Sequence, residues 1–319
     1  MKKIIKASFV VLFCTAFVGC NSFFNGPDIP DFKSTIGLSV FVNNGKVGIS
    51  SLVNENNVIN TEYWIDGVKT DDSKFKALMA VKNYYRTSIN NRYLASSVFK
   101  SGDNEFTTYK FSRYYSLNQE EQLFYYKNNQ LYKMDIVALG AISAVDIVNG
   151  EIFAGFFGKK SYYEAGAYQE PATPFYWEGA EKITKLPLPD KVNRFKGVSC
   201  IHKSASGDVY VGGFLDYPMY WKNTQIVKLN ELYGEVNQII TVGNDVYAVG
   251  FYNKKNSNST GHTACYWKNG AIVELEDDAI GYGIYIDGTD IYVCGATGRV
   301  PAQYTACYWK NGKRVTLNK

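Results

Sequence analysis

Ile291-Tyr292-Val293-Cys294-Gly295 is followed, across a polar stretch, by Tyr308-Trp309-Lys310-Asn311-Gly312. The first phrase is rich in β-branched and aromatic residues, and Asn-Gly is the pair best suited to a tight hairpin. Both phrases recur upstream. Val246-Tyr247-Ala248-Val249-Gly250, Val209-Tyr210-Val211-Gly212-Gly213 and, more loosely, Ile152-Phe153-Ala154-Gly155 repeat the first. Tyr266-Trp267, Tyr220-Trp221, Tyr176-Trp177 and Tyr63-Trp64 repeat the second, with Tyr125-Tyr126 in the same slot. From Trp177 onward the tryptophans stand 44, 46 and 42 residues apart. That period belongs to four-stranded propeller blades, sheets that bury both faces only against their neighbours.

The expected fold is therefore all-β: a β-propeller of six four-stranded blades over residues 34–319. Its units lie near 35–72, 75–138, 141–188, 194–229, 235–275 and 280–317, the second being the least regular. A β-sandwich, the rival, predicts no fixed repeat. The spacing resembles that of WD40 blades, yet Trp is followed here by Lys, Glu or Ile, never Asp. The Tyr-Trp pairs are expected to fill the spaces between blades.

The chain of 319 residues has a formal charge of +4, and its 26 tyrosines and 28 glycines suit short strands and tight turns. Much of the charge belongs to the N-terminus. Lys2, Lys3 and Lys6 lead into the apolar run Ala7 to Val18, too short to span a bilayer unaided. The run ends in Phe17-Val18-Gly19-Cys20, which resembles the lipobox of bacterial lipoproteins. The resemblance implies cleavage after residue 19, acylation of Cys20 and a tether over residues 20–33. Removing residues 1–19 takes away three lysines and no acid, so +4 becomes +1. A nearly neutral chain gives no electrostatic case for nucleic acid. The membrane would be held by the acyl chains, at about 0.8 kcal/mol per buried methylene. Asn21 does not resemble the Asp signal that retains lipoproteins at an inner membrane, so an outer-membrane location in the cell envelope is expected. Bacterial lipoproteins with propeller-like Tyr-Trp repeats are the broader group that the chain resembles.

The repeat register also assigns structural roles. Cys265 and Cys307 fall in the slot of Phe175, Met219 and Phe124, and Cys294 in that of Val249. These thiols and Cys200 are expected to be buried and free, with Cys294–Cys307 the pairing to expect if any bridge formed. Asp208, Asp245 and Asp290 recur at the hairpin between first and second strands, where Asp favours turns. His202 and His262 have no ligand-spaced partners, and no cofactor, phosphate-loop or hydrolase fingerprint is present, so neither metal nor cofactor is expected.

Function is expected in the connections at one end. Hairpins between strands 1–2 and 3–4 are short and uniform; connections 2–3 and 4–1 vary, as binding loops do. The 2–3 connection of the third unit, Phe156 to Phe175, carries Phe157, Lys159, Lys160, Tyr162, Tyr163 and Tyr168. Aromatic rings there suit a glycan or a protein partner. The 4–1 connections carry acids: Asp71, Asp72, Asp190, Glu231, Glu235 and Glu276 to Asp278. Lys254, Lys255 and Arg299 lie with Lys159 and Lys160 in 2–3 connections, which suggests an acidic mouth ringed by bases. Three classes follow: a lipid-anchored module binding a glycan or protein, a structural component of an envelope complex, or a propeller glycoside hydrolase. The last requires two carboxylates at a defined separation, with Asp190, Glu235 and Asp278 the candidates.

Overall fold

The computed structural model describes residues 33–55, 58–71, 173–178, 182–189, 197–214, 217–254, 261–299 and 303–317, and strands between 83 and 158. Cys20, residues 1–32 and the connection 159–172 lie outside the described residues, as do Asp72, Asp190 and Lys255. Every regular element described is a strand, and consecutive strands pair antiparallel in six consecutive sheets.

The first sheet comprises β1 (Lys33–Asn43), β2 (Lys46–Glu55), β3 (Val58–Ile65) and β4 (Val68–Thr70). The second comprises β5 (Asn83–Ile89), β6 (Arg92–Ser101), β7 (Asn104–Arg113), β8 (Gln122–Lys127) and β9 (Gln130–Val137). The third is β10 (Ile142–Val148), β11 (Glu151–Gly158), β12 (Thr173–Glu178) and β13 (Lys182–Lys185). The fourth is β14 (Gly197–Lys203), β15 (Val209–Phe214), β16 (Pro218–Lys222) and β17 (Gln225–Lys228). The fifth is β18 (Gly234–Val242), β19 (Asp245–Tyr252), β20 (Thr263–Lys268) and β21 (Ala271–Asp277). The sixth is β22 (Ala279–Asp287), β23 (Asp290–Thr297), β24 (Thr305–Lys310) and β25 (Lys313–Thr316).

The second sheet departs from the four-strand expectation. Its extra strand, β5, pairs with β6 along its whole length. Strand formers occur in both (Tyr84, Tyr85, Thr87 and Ile89 in β5; Tyr93, Val98 and Phe99 in β6), and Asn90-Asn91 between them is turn chemistry. No Tyr-Trp landmark marks a first strand, so the repeat alone could not separate these two.

The Tyr-Trp pair acts through the two-residue alternation of a strand, which sends neighbouring side chains to opposite faces. Tyr176 of the third sheet shares a core with Trp221 of the fourth. Tyr220 likewise meets Trp267, and Tyr266 meets Trp309. Tyr308 of the sixth sheet meets Trp64 of the first. The pairs Tyr220-Trp221, Tyr266-Trp267 and Tyr308-Trp309 thus contribute one ring to each flanking interface, and the C-terminal sheet packs on the N-terminal one by the same rule. The all-β fold is accordingly propeller-like.

Five first strands carry a bulge in one register. The extra residues are Leu38, Ser143, Ser199, Asn237 and Tyr282. A bulge leaves ladder groups unpaired, and the preceding sheet supplies partners. Ser199 Oγ donates to Val236 O, Asn237 Nδ2 donates to Gly281 O at 2.7 Å, and Gln238 Oε1 accepts from Ile284 N at 2.7 Å. Side chains of one first strand thereby cap the open edge of the next, which removes a template for stray pairing.

The junction of the sixth and first sheets copies that of the fifth and sixth. Thr35 N donates to Tyr304 O at 2.8 Å, as Ala279 N donates to His262 O at 2.9 Å. Among the described residues no strand is exchanged across this junction. Thr35 adds a second bond, its Oγ1 accepting from the buried Ala306 N at 2.7 Å. Thr35→Val should orphan that N–H and lower the unfolding free energy by about 1–3 kcal/mol. Thr35→Ser should restore most of it in urea titrations; equal losses from both variants would sink this assignment.

At the hairpin end, Asn223, Asn269 and Asn311 occupy the left-handed region, with φ of 57°, 52° and 50°. The side chain of each accepts from the first apolar N–H of the second strand, Val209, Val246 or Ile291, at 2.8–2.9 Å. Each also donates to Asp208, Asp245 or Asp290 at 2.7–3.0 Å. Lys222, Lys268 and Lys310 pair with the same acids. The turn acids are structural, as their recurrence indicated.

Cys200, Cys265, Cys294 and Cys307 are buried and free. The Cys294–Cys307 pairing considered from sequence is excluded by register. Cys294 lies opposite Tyr308 and faces the first sheet, whereas Cys307 lies opposite Gly295 and faces the fifth. Burial pushes the Cys265 thiol well above its ordinary value.

Candidate functional site

The loop-rich end is best described where the fifth and sixth sheets meet. Asp278 lies between β21 and β22 in the left-handed region, φ 52°, and its carbonyl accepts Gly298 N at 2.7 Å. Arg299, just beyond β23, brings Nε to Asp278 Oδ2 at 2.9 Å. The pairing follows from topology: the start of a first strand and the end of its partner lie side by side. Acids of a 4–1 connection and bases of the following 2–3 connection are therefore neighbours.

Lys254, at the end of β19, sits 2.9 Å from both Glu274 Oε2 and Asp277 Oδ1. Hydrogen bonding to Asp277, then to Glu274, raises the Lys254 pKa. Thr263 Oγ1 donates to Asp277 at 2.8 Å, and the Tyr252 hydroxyl donates to Glu274. Burial and that carboxylate push the Tyr252 pKa up to about 12. Glu276 accepts from Trp309 Nε1 at 3.0 Å and from Arg314 at 2.7 Å, and Glu231 pairs with Lys228. The expected separation into an acidic mouth and a basic ring is thus corrected: these acids each have a cation as neighbour. Among the described residues no three metal-ligating side chains converge.

Glu235 stands apart. It is 6% exposed on β18, beside the bulge, and is the one charged residue buried among those described. The equivalent first-strand residues are Gly197, Ile280 and Ile36, so a carboxylate here departs from the repeat. Its register partner, Phe251, packs against the His262 ring at 4.1 Å between centroids. His262 Nδ1 lies 2.6 Å from Asn253 Oδ1, and its carbonyl holds Ala279 N. Glu235 and Asp278 thus flank one Phe251–His262 contact. Of the 156–175 connection, Phe157 lies on β11 and pairs with Pro174, while Lys159, Lys160, Tyr162, Tyr163 and Tyr168 lie outside the described residues. Sequence reading treated His262 as an isolated loop histidine; its alignment with Tyr304, just before the third strand, was the available signal of an aromatic packing slot.

Burial pushes the His262 pKa down to about 4, the Asp278 charge opposing this in part. A histidine held neutral when folded takes up its proton first in the unfolded chain, whose pKa is near 6.5. Its contribution to stability is therefore complete above about pH 6.5 and is lost as pH falls toward 4. The loss amounts to about 3 kcal/mol. Melting temperature should fall more steeply between pH 6.5 and 4.5 in the natural chain than in His262→Phe. Parallel slopes would remove His262 as the cause.

No family model and no curated protein matches the chain. Among solved structures it is similar to the β-propeller domain of the Trilobed protease from Pyrococcus furiosus. The two are 10% identical over 92% of this chain and 97% of that one, with a TM-score of 0.45. It is also similar to the GH43_1 enzyme from Xanthomonas citri complexed with xylose, at 10% identity over 89% and 90% of the chains and a TM-score of 0.37.

Proposed function

We propose that the protein is a lipid-anchored, extracytoplasmic binding module, a six-bladed β-propeller that recognises a glycan or a protein with its loop-rich end. The lipobox ending at Cys20 supports the anchor and a place in the cell envelope, at the outer membrane. Six consecutive sheets, with Tyr and Trp rings interlocking from the third through the sixth and from the sixth to the first, support the blade count. Phe157, Lys159, Lys160, Tyr162, Tyr163 and Tyr168 are the proposed contacts on the third blade, with Glu235 and Asp278 on the fifth and sixth.

The observation that carries binding over hydrolysis is the state of the acids. Asp278 is engaged by Arg299, Asp277 by Lys254 and Glu276 by Arg314, and Glu235 is buried on another strand, β18. Glycoside hydrolysis uses a carboxyl pair with divided roles. Glycan-array binding by the detergent-solubilised full chain, weakened by Glu235→Gln, is the expected result. Release of sugar abolished by Glu235→Gln and by Asp278→Asn would replace this reading with the hydrolase. Co-purification of envelope proteins without any glycan binding would favour the assembly role.

A further inference from the structure

We infer that the outer edge of the fifth sheet is a pairing edge, and that it takes the same edge of a second copy of this chain about a two-fold axis at Val273. The last strand of each sheet has no strand beyond it among the described residues. Such an edge is a template for stray pairing, and proteins commonly blunt it with a basic side chain. Two slots matter on it: the residue opposite the third-strand Trp, and the residue two further on. The turn shows why. Asn269 and Gly270 both have positive φ, which makes a type I′ turn closed by the register pair Lys268 and Ala271. The ladder then alternates, so the backbone groups of Ile272 and Glu274 face outward.

The other five outer strands carry a base in one of these slots. Lys69 lies opposite Trp64 and Arg314 opposite Trp309. Lys133, Lys185 and Lys228 fill the second slot of β9, β13 and β17. In β21 the two slots hold Ile272 and Glu274, and its seven residues include no Lys or Arg. Ala271 to Glu274 are exposed, Ile272 at 39% and Val273 at 38%.

The occupant follows from the pattern of the strand itself. Antiparallel pairing about Val273 sets Val273 opposite its own copy, and Ile272 opposite Glu274 of the second copy. The outward backbone groups then meet at two symmetric places, and no acid faces an acid. Ala271 and Leu275 become opposite neighbours on the face toward the sixth sheet, where Leu275 packs with the core of Tyr266. That side of the seam is apolar. On the other side the Glu274 charge is already met by Lys254 at 2.9 Å. Moving the axis to Glu274 would set two carboxylates opposite each other, and moving it to Ile272 would shorten the seam. The bulge at Leu275 ends the regular ladder, so Glu276 and Asp277 lie beyond the seam, toward the turn and Lys268 of the second copy. An edge that matches itself in this way selects a second copy over a foreign strand. The seam is short, so the dimer is of the weak, concentration-dependent kind.

The test uses the full chain, in detergent and in native membranes. Under mild oxidant, Val273→Cys should form a disulfide between chains several-fold faster than Ile272→Cys or Glu274→Cys. Its Cα atoms would stand about 4.5 Å apart across the axis. The described native thiols are buried, and the natural chain treated alike accounts for Cys20. In light scattering, the mass should rise toward twice the monomer's with concentration. Val273→Lys and Val273→Glu, each setting like charges opposite, should stay monomeric with melting temperature little changed, and mixing the two should restore the dimer. Equal disulfide rates at all three positions overturn the register and with it the proposal. So does a monomer at every concentration, or a dimer that Val273→Lys leaves intact. A photo-crosslinker at 273 that captures a different protein in membranes, in place of a second copy, overturns the self-pairing as well.

Discussion

Trp221→Ala is expected to lower the unfolding free energy by about 3–5 kcal/mol. The indole is fully buried between the third and fourth sheets, among Tyr176, Leu186 and Val211. Its Nε1 donates to Pro187 O at 2.8 Å, which ties the chain leaving β13 to the next sheet. Truncation thus opens a ring-sized cavity and strands an acceptor together. Phe substitutions separate the two terms. Trp267 is buried in the sister interface, yet its Nε1 has no acceptor among the described residues. A buried donor without a partner is itself costly, at about 1–3 kcal/mol. Trp267→Phe should therefore cost about 1 kcal/mol less than Trp221→Phe, which loses a made hydrogen bond along with ring volume. Urea unfolding of the two variants decides it. Indistinguishable losses would mean that ring volume alone sets the cost and that the Pro187 bond contributes little.

The contrast between these tryptophans marks where sequence reading stops. The Tyr-Trp slot was legible because alternation is local: adjacent residues on a strand must face opposite ways, whatever surrounds them. Asn269-Gly270 and Asn311-Gly312 were legible for the same reason, and both residues of each pair take positive φ. The bulges were not. One extra residue in β18 leaves its pattern looking like any strand, and Asn237 acquires a role only when β19 and the carbonyl of Gly281 are in place. The extra strand β5 was missed because unit boundaries were drawn from third-strand landmarks, which say nothing about how many strands precede them.

The candidate site divides in the same way. Glu235 lies on β18, and Glu276 and Asp277 lie on β21, whereas the acids Asp71, Glu231 and Asp278 and the bases Lys254 and Arg299 do lie in 4–1 and 2–3 connections. Their separation was a mistake of topology, since the two ends of a first-and-second-strand hairpin coincide in space and bring Asp278 to Arg299. Glu235 was named as one acid among several. Its distinction lies in burial, which depends on β19 and Phe251 covering it, and no count of charged residues supplies that.

Gly250→Ala is expected to cost about 3 kcal/mol or more, at or above the upper end for overpacking. The reason joins the repeat phrase to the bulge. Gly250 closes the second-strand phrase and lies opposite Val236, where β18 makes its extra-residue step. A Cβ at 250 would stand 1.8 Å from the Glu235 carbonyl oxygen, far inside van der Waals contact, and crowd the Glu235 carbonyl carbon and Val236 Cα. All three are backbone atoms, fixed by the ladder with β19 and by Ser199 on Val236 O, so none can rotate away. Gly295 meets the Ile280 carbonyl oxygen in the same way, which explains why the phrase ends in glycine in both the fifth and the sixth sheet. Gly270→Ala is the control. Its φ of 86° makes any side chain strained, but nothing stands within 4 Å of the added carbon, so the expected loss is about 1–2 kcal/mol. Because Gly250→Ala displaces the backbone that carries Glu235, it should also weaken whatever Glu235→Gln weakens, while Gly270→Ala leaves binding intact. Equal unfolding losses for the two glycines would mean that β18 can shift at its bulge, and the glycine would then need a cause other than this contact.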